Sequence, residues 1–360
     1  MEIFAMSDDK KKICYILPKF DLNIDTHYFY LYDFINEVAK DLNLVLLIEK
    51  SNSDIIFFKN VNKIYIQKFS WTPLRIIENF LLLLWIRLQG VKNYYIHYSY
   101  ISAFNSSLIA RLSGAKTFYW SCGMMWLFGK DKFLEIVLKL ANYLVTGVDA
   151  LKLGYIEHYG ISASKAKIMP NWIDLNRFTN VDVDLIYNKY KLNKDSEYII
   201  FVHRLAKRKG AHHIARLAKD NRELKFIIVG DGPYKENLEK EIKDLDNVIL
   251  LGKAPNTDVP GLMKISKLLF MPSEEEGFPR VLLESMAAGL PYTAFDIGGV
   301  REISSSEQQE YIVDDARAMD TAISNILNDH VHDKLKQANL EHVKQFDIKV
   351  VRNKFIELFS

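Results

Sequence analysis

The stretch that decides the fold reads Met271-Pro-Ser-Glu-Glu-Glu-Gly-Phe-Pro-Arg-Val-Leu-Leu-Glu284. An apolar run over 268–271 predicts a strand, an acidic loop follows, and Pro279 opens a helix, where its missing N–H costs nothing. Glu276 falls in the loop, and Arg280 and Glu284 fall in the early turns, Glu284 about one and a half turns in. The free backbone N–H groups of such a helix start attract anions. One short segment therefore pairs a phosphate cradle with two carboxylates able to accept hydrogen bonds from hydroxyls. That combination suits a molecule carrying a polyol, a diphosphate and a ribose. An acid cluster beside a solvated helix glutamate is the alternative reading of the same residues.

Working outward, short apolar runs alternate with longer amphipathic stretches, the signature of βα units feeding parallel sheets. The first series predicts strands at 13–17, 44–48, 94–98, 117–120 and 143–146, with helices over 26–40 and 73–89. In the second helix Thr72 is the expected N-cap, Pro73 the first helical residue and Gly90 the residue past the end. Proline and asparagine punctuate the chain at Ile168-Met-Pro-Asn-Trp-Ile-Asp174. A fresh series follows, with strands at 198–202, 225–229, 248–251, 268–271 and 291–295, and helices starting near Gly210, Pro233, Asn256 and Pro279. The reading is an α/β chain of two Rossmann-like domains facing across a cleft, whose ligands bind outside the carboxyl ends of the strands.

Composition removes several classes. The 47 basic and 45 acidic residues are too balanced to point to a nucleic-acid partner. Two cysteines, Cys14 and Cys122, cannot build a disulfide framework or a four-ligand zinc site by themselves, and a reducing, cytosolic setting is expected. The most apolar stretch, Phe80-Leu-Leu-Leu-Leu-Trp-Ile86, ends at Arg87 and is too short to span a bilayer. The first twelve residues lack the apolar core of a signal peptide. The helix over 73–89 is apolar around most of its circumference. Docking on an inner membrane face is one reading; burial between the sheet and its neighbours is the expectation from the pattern.

Two further segments carry chemistry. In Phe201-Val-His-Arg-Leu-Ala-Lys-Arg-Lys-Gly210, Arg204 and Lys209 lie in a strand-to-helix loop where two cations can neutralise a departing diphosphate. Solvation explains Lys207 and Arg208. In Ile227-Ile-Val-Gly-Asp-Gly-Pro-Tyr234, a dinucleotide fingerprint needs a third glycine where Lys235 stands, so a tight turn before a helix is the better reading.

Residues 198–302 resemble the C-terminal domain of retaining, GT-B-fold glycosyltransferases of family four. The resemblance rests on an ordered set: Arg204 with Lys209-Gly210, Val229-Gly-Asp-Gly-Pro233, Leu251-Gly252, Pro272-Ser273, Glu276 and Glu284 with seven residues between, Met286-Ala-Ala-Gly-Leu-Pro291, and Gly298-Gly-Val-Arg-Glu302. Pro170-Asn-Trp-Ile-Asp174 with Phe178 is similar to the same family's interdomain stretch. The resemblance implies an acceptor-binding domain over 1–175, joined by a C-terminal helix within 345–360 that crosses back to it, and a nucleotide-sugar-binding domain over 176–344.

It also implies roles. Arg204 and Lys209 bind the donor diphosphate, Glu276 the hydroxyls of the transferred sugar and Glu284 those of the ribose. Backbone groups of Gly277, Phe278, Arg280 and Val281 approach the phosphates and sugar, and those of Lys253 and Ala254 the nucleobase. No metal or other cofactor is implied. The donor is a nucleotide sugar, with Phe278-Pro279 leaning toward a UDP-linked hexose or N-acetylhexosamine, and the acceptor is a glycan or lipid-linked sugar in surface polysaccharide synthesis. This places the protein in the cytoplasm or peripherally on the inner membrane face.

Departures from the family are specific. His203 and Trp172 stand where glycine is frequent, and His203 crowds a close phosphate approach unless its ring turns away. Pro18-Lys-Phe-Asp-Leu-Asn-Ile-Asp-Thr-His27 replaces a Gly-Gly loop, and Trp120-Ser-Cys-Gly123 stands where a histidine is common. Asp21, Asp25 and His27 lie in the first of these segments, where solvation or helix capping is the expected role. Cys122 reads as buried packing. A non-catalytic nucleotide-sugar-binding subunit and a same-fold epimerase are the alternative functions.

Overall fold

A computed structural model describes residues 10–22, 29–53, 55–129 and 131–360. The chain divides into two compact units, residues 1–169 with 352–360, and residues 170–351. Each is built on one parallel sheet.

In the first unit the strands are β1 (Lys12–Leu17), β2 (Asn43–Ile48), β3 (Lys63–Ile66), β4 (Asn93–His97), β5 (Lys116–Trp120), β6 (Tyr143–Thr146) and β7 (Ala166–Ile168), in the order β3-β2-β1-β4-β5-β6-β7. In the second they are β8 (Tyr198–Val202), β9 (Lys225–Val229), β10 (Val248–Gly252), β11 (Ser266–Met271), β12 (Tyr292–Phe295) and β13 (Ile312–Val313), in the order β10-β9-β8-β11-β12-β13. Both are doubly wound α/β sheets whose strand order reverses beside the first strand, between β1 and β4 and between β8 and β11. Loops leaving two such strands diverge, and the crevice between them is where ligands bind in this architecture.

The central strands are apolar at consecutive positions because helices cover both faces. In the second unit Phe201, Phe226, Ile228 and Phe270 pack with Ile214, Leu217, Met319 and Ile323 on one side. The alternate residues Ile200, Ile227 and Leu269 are equally buried on the other. Three short strands, β3, β7 and β13, lie at or toward sheet edges and escape the sequence reading.

The last helix, Ile348–Glu357, begins with Ile348 N–H donating to the Ile173 carbonyl (2.8 Å). Its later residues belong to the first unit. There the Phe355 ring lies 4.7 Å from Tyr95 and 5.3 Å from Phe34, and Arg352 pairs with Glu37 at 2.9 Å.

Two expectations need correction. The helix expected over 73–89 runs Thr72–Leu88 with Trp71 at the N-cap and no side-chain cap bond, so Thr72 is inside it. It is also not enclosed. Asn79, Leu83 and Ile86 are buried, Asn79 donating to Gln67 Oε1 (3.1 Å) and Ser102 Oγ (2.8 Å). On the opposite side Trp71, Leu74, Ile77, Leu81, Leu84, Trp85 and Leu88 are exposed, Leu88 at 73%. The sequence pattern cannot distinguish these sides because both are apolar. Among the described residues no helix is long and apolar enough to cross a membrane.

Candidate active site

The second sheet delivers its polar residues from the two strands flanking the switch point. After β8 the chain turns through His203-Arg-Leu-Ala-Lys-Arg-Lys209, and after β11 through Pro272-Ser-Glu-Glu-Glu-Gly277. The turn between β9 and the next helix supports the first loop from beneath. Val229 C=O accepts from His203 N–H (3.1 Å) and Asp231 C=O from Leu205 N–H (3.0 Å). A Cβ on Gly230 would lie 1.9 Å from the His203 carbonyl oxygen. The glycines of Val229-Gly-Asp-Gly-Pro233 are therefore spent on loop packing.

The second loop is held in the same way. Gly298 has φ +50°, and a Cβ there would lie 1.8 Å from the Glu276 carbonyl oxygen; Gly299 N–H donates to Gly277 C=O (3.2 Å). Only glycine combines that backbone conformation with so close an approach.

These supports bring three donors onto one carboxylate oxygen. Glu276 is 6% exposed, and its Oε1 accepts from Lys209 Nζ (2.8 Å), Ser273 Oγ (2.8 Å) and His203 Nε2 (2.9 Å). The Arg204 backbone N–H donates to His203 Nδ1 (2.7 Å), which leaves the ring proton on Nε2, directed at the glutamate. Burial raises the Glu276 carboxyl, but the His203 and Lys209 partners outweigh it and bring it down to about 2. Oε2 has no hydrogen-bond partner among the described residues. The cluster thus presents one fixed, ionised acceptor.

Lys209 is largely consumed by this arrangement. Its ammonium also donates to the Glu275 carbonyl (2.6 Å), leaving one of three N–H bonds for a ligand. Arg204 differs: its side chain is exposed and has no partner among the described residues, and it joins the cluster only through its backbone. Arg208, expected to be solvated, pairs with Glu275 at 3.0 Å.

The helix expected at Pro279 runs Arg280–Ala288, with Pro279 at the N-cap and no side chain capping it. Gly277, Phe278, Arg280 and Val281 are contiguous at this start. The Phe278 ring is buried, and Arg280 Nη1 donates to the Trp172 carbonyl (2.5 Å). Asn171 Nδ2 donates to the Phe278 carbonyl (3.5 Å) while its Oδ1 is buried without a partner. The Pro170–Asp174 stretch is thereby strapped to the helix start, and Trp172 is buried there.

Glu284 lies in the second turn of that helix. Burial raises its carboxyl, against the pull of Arg280, Arg177 and His203. Arg177, which the sequence reading passed over, also donates to the Asn256 carbonyl (2.8 Å). That bond ties the helix neighbourhood to the loop after β10, which carries Lys253 and the buried Ala254. His203 is the other residue whose part the sequence concealed. Read as an obstacle at a glycine position, it is turned onto Glu276 instead.

The first unit's candidates are less engaged. Asp21 is buried, pairs with Lys19 at 3.2 Å and accepts from Asn52 Nδ2 at 3.3 Å; Asp25 and His27 lie outside the described residues. Cys122 is buried, with burial pushing its thiol up, which fits packing. The histidine near the switch point of this sheet is His97, at the end of β4. Its Nδ1 bonds the Tyr15 hydroxyl (2.7 Å), its ring lies 4.3 Å from Trp120, and burial brings it down to about 3, so it is a neutral core residue.

Two Rossmann-like sheets, with a buried carboxylate, basic groups and an uncapped helix start at the second switch point, define the GT-B class. Residues 182–342 match the model of the family described as Glycosyl transferases group 1. The 2-deoxystreptamine glucosyltransferase of Streptomyces kanamyceticus is 30% identical over 143 residues, 37% of this chain and 37% of that protein. The UDP-Gal:alpha-D-GlcNAc-diphosphoundecaprenol alpha-1,3-galactosyltransferase of Escherichia coli is 26% identical over 251 residues, 62% and 64% of the two chains. In both, the match spans less than two thirds of the relative's length. The Anabaena protein Alr3699/HepE, solved in complex with UDP-glucose, superposes with a TM-score of 0.78 at 16% identity, covering 97% of this chain and 99% of that one.

Proposed function

We propose that the protein is a retaining glycosyltransferase that moves a hexose or N-acetylhexosamine from a UDP-linked donor to a glycan or lipid-linked acceptor in surface polysaccharide synthesis. The observation that carries this reading is Glu276, buried and ionised, clamped by Lys209, His203 and Ser273 beside an uncapped helix start. The relatives support it: one solved neighbour binds UDP-glucose, and the E. coli enzyme's name specifies UDP-Gal and a lipid-diphosphate acceptor.

In this mechanism the acceptor hydroxyl oxygen bonds to the anomeric carbon on the face from which the nucleoside diphosphate departs, as the bond from that carbon to the phosphate oxygen breaks. The acceptor's proton passes to the leaving β-phosphate. Glu276 Oε2 receives sugar hydroxyls, and Glu284 receives those of the ribose, donors that oppose the upward pull of burial on its carboxyl. Arg204, the remaining N–H of Lys209 and the amides of Gly277, Phe278, Arg280 and Val281 stabilise charge growing on the diphosphate. The loop at Lys253 and Ala254 meets the nucleobase. These groups carry the leaving-group charge without a divalent cation, and the first unit supplies the acceptor contacts.

Calorimetric titration with UDP and GDP in chelator tests the reading. Saturable heat with UDP, and sugar transfer with a donor panel, are the expected outcomes. Silence for both nucleotides removes the reading. Binding without turnover favours the non-catalytic subunit, and an isomerised donor the epimerase.

Peripheral contact with the inner membrane face belongs to the same proposal. The exposed stripe from Trp71 to Leu88 carries no free acid, because Glu78 accepts from the backbone N–H groups of Lys68 (2.8 Å) and Phe69 (3.0 Å). Such a face lies in the plane of a bilayer surface. Leu81→Glu is expected to weaken partition onto anionic vesicles by roughly tenfold or more, since burying one leucine contributes about 1.5–3 kcal/mol. Equal co-sedimentation of variant and parent rules the contact out.

A further inference from the structure

We infer that His212, His213 and Glu274 form a binding site for a divalent metal ion of zinc-like chemistry, which clamps the loop carrying Lys209 to the loop carrying Glu276. The site is separate from the proposed sugar-transfer chemistry, which uses no metal, and it does not depend on that reading.

His212 and His213 end the short turn Ala211–His213, just beyond Lys209 and Gly210. Glu274 lies in the loop after β11, two residues before Glu276. The side chains converge: Glu274 Oε1 is 3.2 Å from His212 Nε2 and 3.7 Å from His213 Nε2, and one donor atom from each of the three lies within 4.8 Å of the others. Zinc takes imidazole nitrogen and carboxylate oxygen at about 2.0–2.2 Å in tetrahedral geometry, which sets ligand atoms roughly 3.3 Å apart. The two Glu274–histidine separations bracket that value. Two imidazoles and one carboxylate form a three-ligand set that leaves a fourth position for water, and this donor mixture selects borderline ions over calcium or magnesium.

The surroundings allow it. The His213 ring is held edge-on against Phe295 at 5.5 Å, and the two histidine rings lie 3.9 Å apart. His212 Nδ1 is buried with no hydrogen-bond partner, so no competing bond ties that ring down. The nearby cation Arg216 is engaged by Asp220 and Asp320, each at 2.7 Å. Glu274 is half exposed, free to swing a few tenths of an ångström, while its backbone N–H is anchored on the Arg208 carbonyl (3.0 Å). Among the described residues this is the one group of three or more histidine, cysteine or carboxylate side chains gathered closely enough to hold an ion. An ion here tightens an existing contact between the two loops that fix Glu276.

The test is a titration of tag-free, chelator-stripped protein with Co²⁺, followed by competition with Zn²⁺. One equivalent of Co²⁺ should develop the visible absorption of a four-coordinate ion, Zn²⁺ should bleach it, and Zn²⁺ should raise the melting temperature. His213→Gln and Glu274→Gln should each weaken binding by at least about tenfold and abolish the thermal shift. Glu274 is exposed enough that its variant keeps the fold. Absence of a saturable spectrum, or equal binding by parent and both variants, overturns the site. UDP binding in chelator is measured separately, so failure of one proposal is distinguishable from failure of the other.

Discussion

Lys209→Ala is expected to lower turnover on the best sugar-nucleotide donor by about 10²–10³-fold, the usual cost of deleting one preorganised stabiliser of developing charge. Two losses combine. The diphosphate of the proposed donor loses a cation, and Glu276 Oε1 loses one of three donors while still buried. Removing one partner of a buried pair leaves the other uncompensated, a cost of about 3 kcal/mol, so turnover must be normalised to folded protein by circular dichroism. Lys209→Arg restores charge but not the ammonium's simultaneous reach to Glu276 Oε1 and the Glu275 carbonyl, and should recover little. Arg204→Ala separates the two contributions. Its side chain has no protein partner among the described residues, so kcat/KM should fall with the melting temperature unchanged. Near-full turnover by Lys209→Ala would show that this ammonium does not serve the leaving group.

The second large effect concerns Glu276 and pH. Its folded-state carboxyl is held down at about 2, against the ordinary 4.5 of a free glutamate. A group depressed on folding contributes stability that is fully present above the unfolded value and is lost as pH falls through the folded one. At neutral pH that contribution is about 3 kcal/mol, taking 1.36 kcal/mol for each pH unit of displacement. Glu276→Gln keeps the shape of the side chain but cannot ionise. Denaturant unfolding at pH 7 should place the variant about 3 kcal/mol below the parent, and the gap should close between pH 4.5 and 2. A pH-independent gap would mean that the side chain acts by packing alone. Turnover by the variant should fall as well, since an amide leaves Lys209 without its counter-charge.

Much of the frame is readable along the chain because buried parallel strands need unbroken apolar runs. β8, β9 and β11 are each covered on both faces, and their sequences say so. β3, β7 and β13 lie at or near edges where burial is partial: Lys63–Ile66 has no fully buried residue, and β13 is two residues long. A weak demand for apolar residues leaves a weak signal. The helix from Thr72 to Leu88 fails in the opposite sense, since an apolar circumference fits burial and a membrane-facing stripe alike, and only its neighbours decide which side is covered.

The site divides along the same line. Spacing along the chain determined that Glu276 sits in a loop and Glu284 on the helix behind it, that Lys209 follows β8, and that a tight turn follows β9. Those are local properties, set by dihedral freedom and helical rise. Which groups meet was decided by long-range packing, chiefly of two loops from non-consecutive strands: His203 turning its ring onto Glu276, Lys209 being spent on the glutamate while Arg204 stays open, and, elsewhere, Arg177 reaching Asn256. Such pairings depend on contacts between residues some seventy positions apart, and a linear pattern encodes side-chain chemistry without encoding those distances.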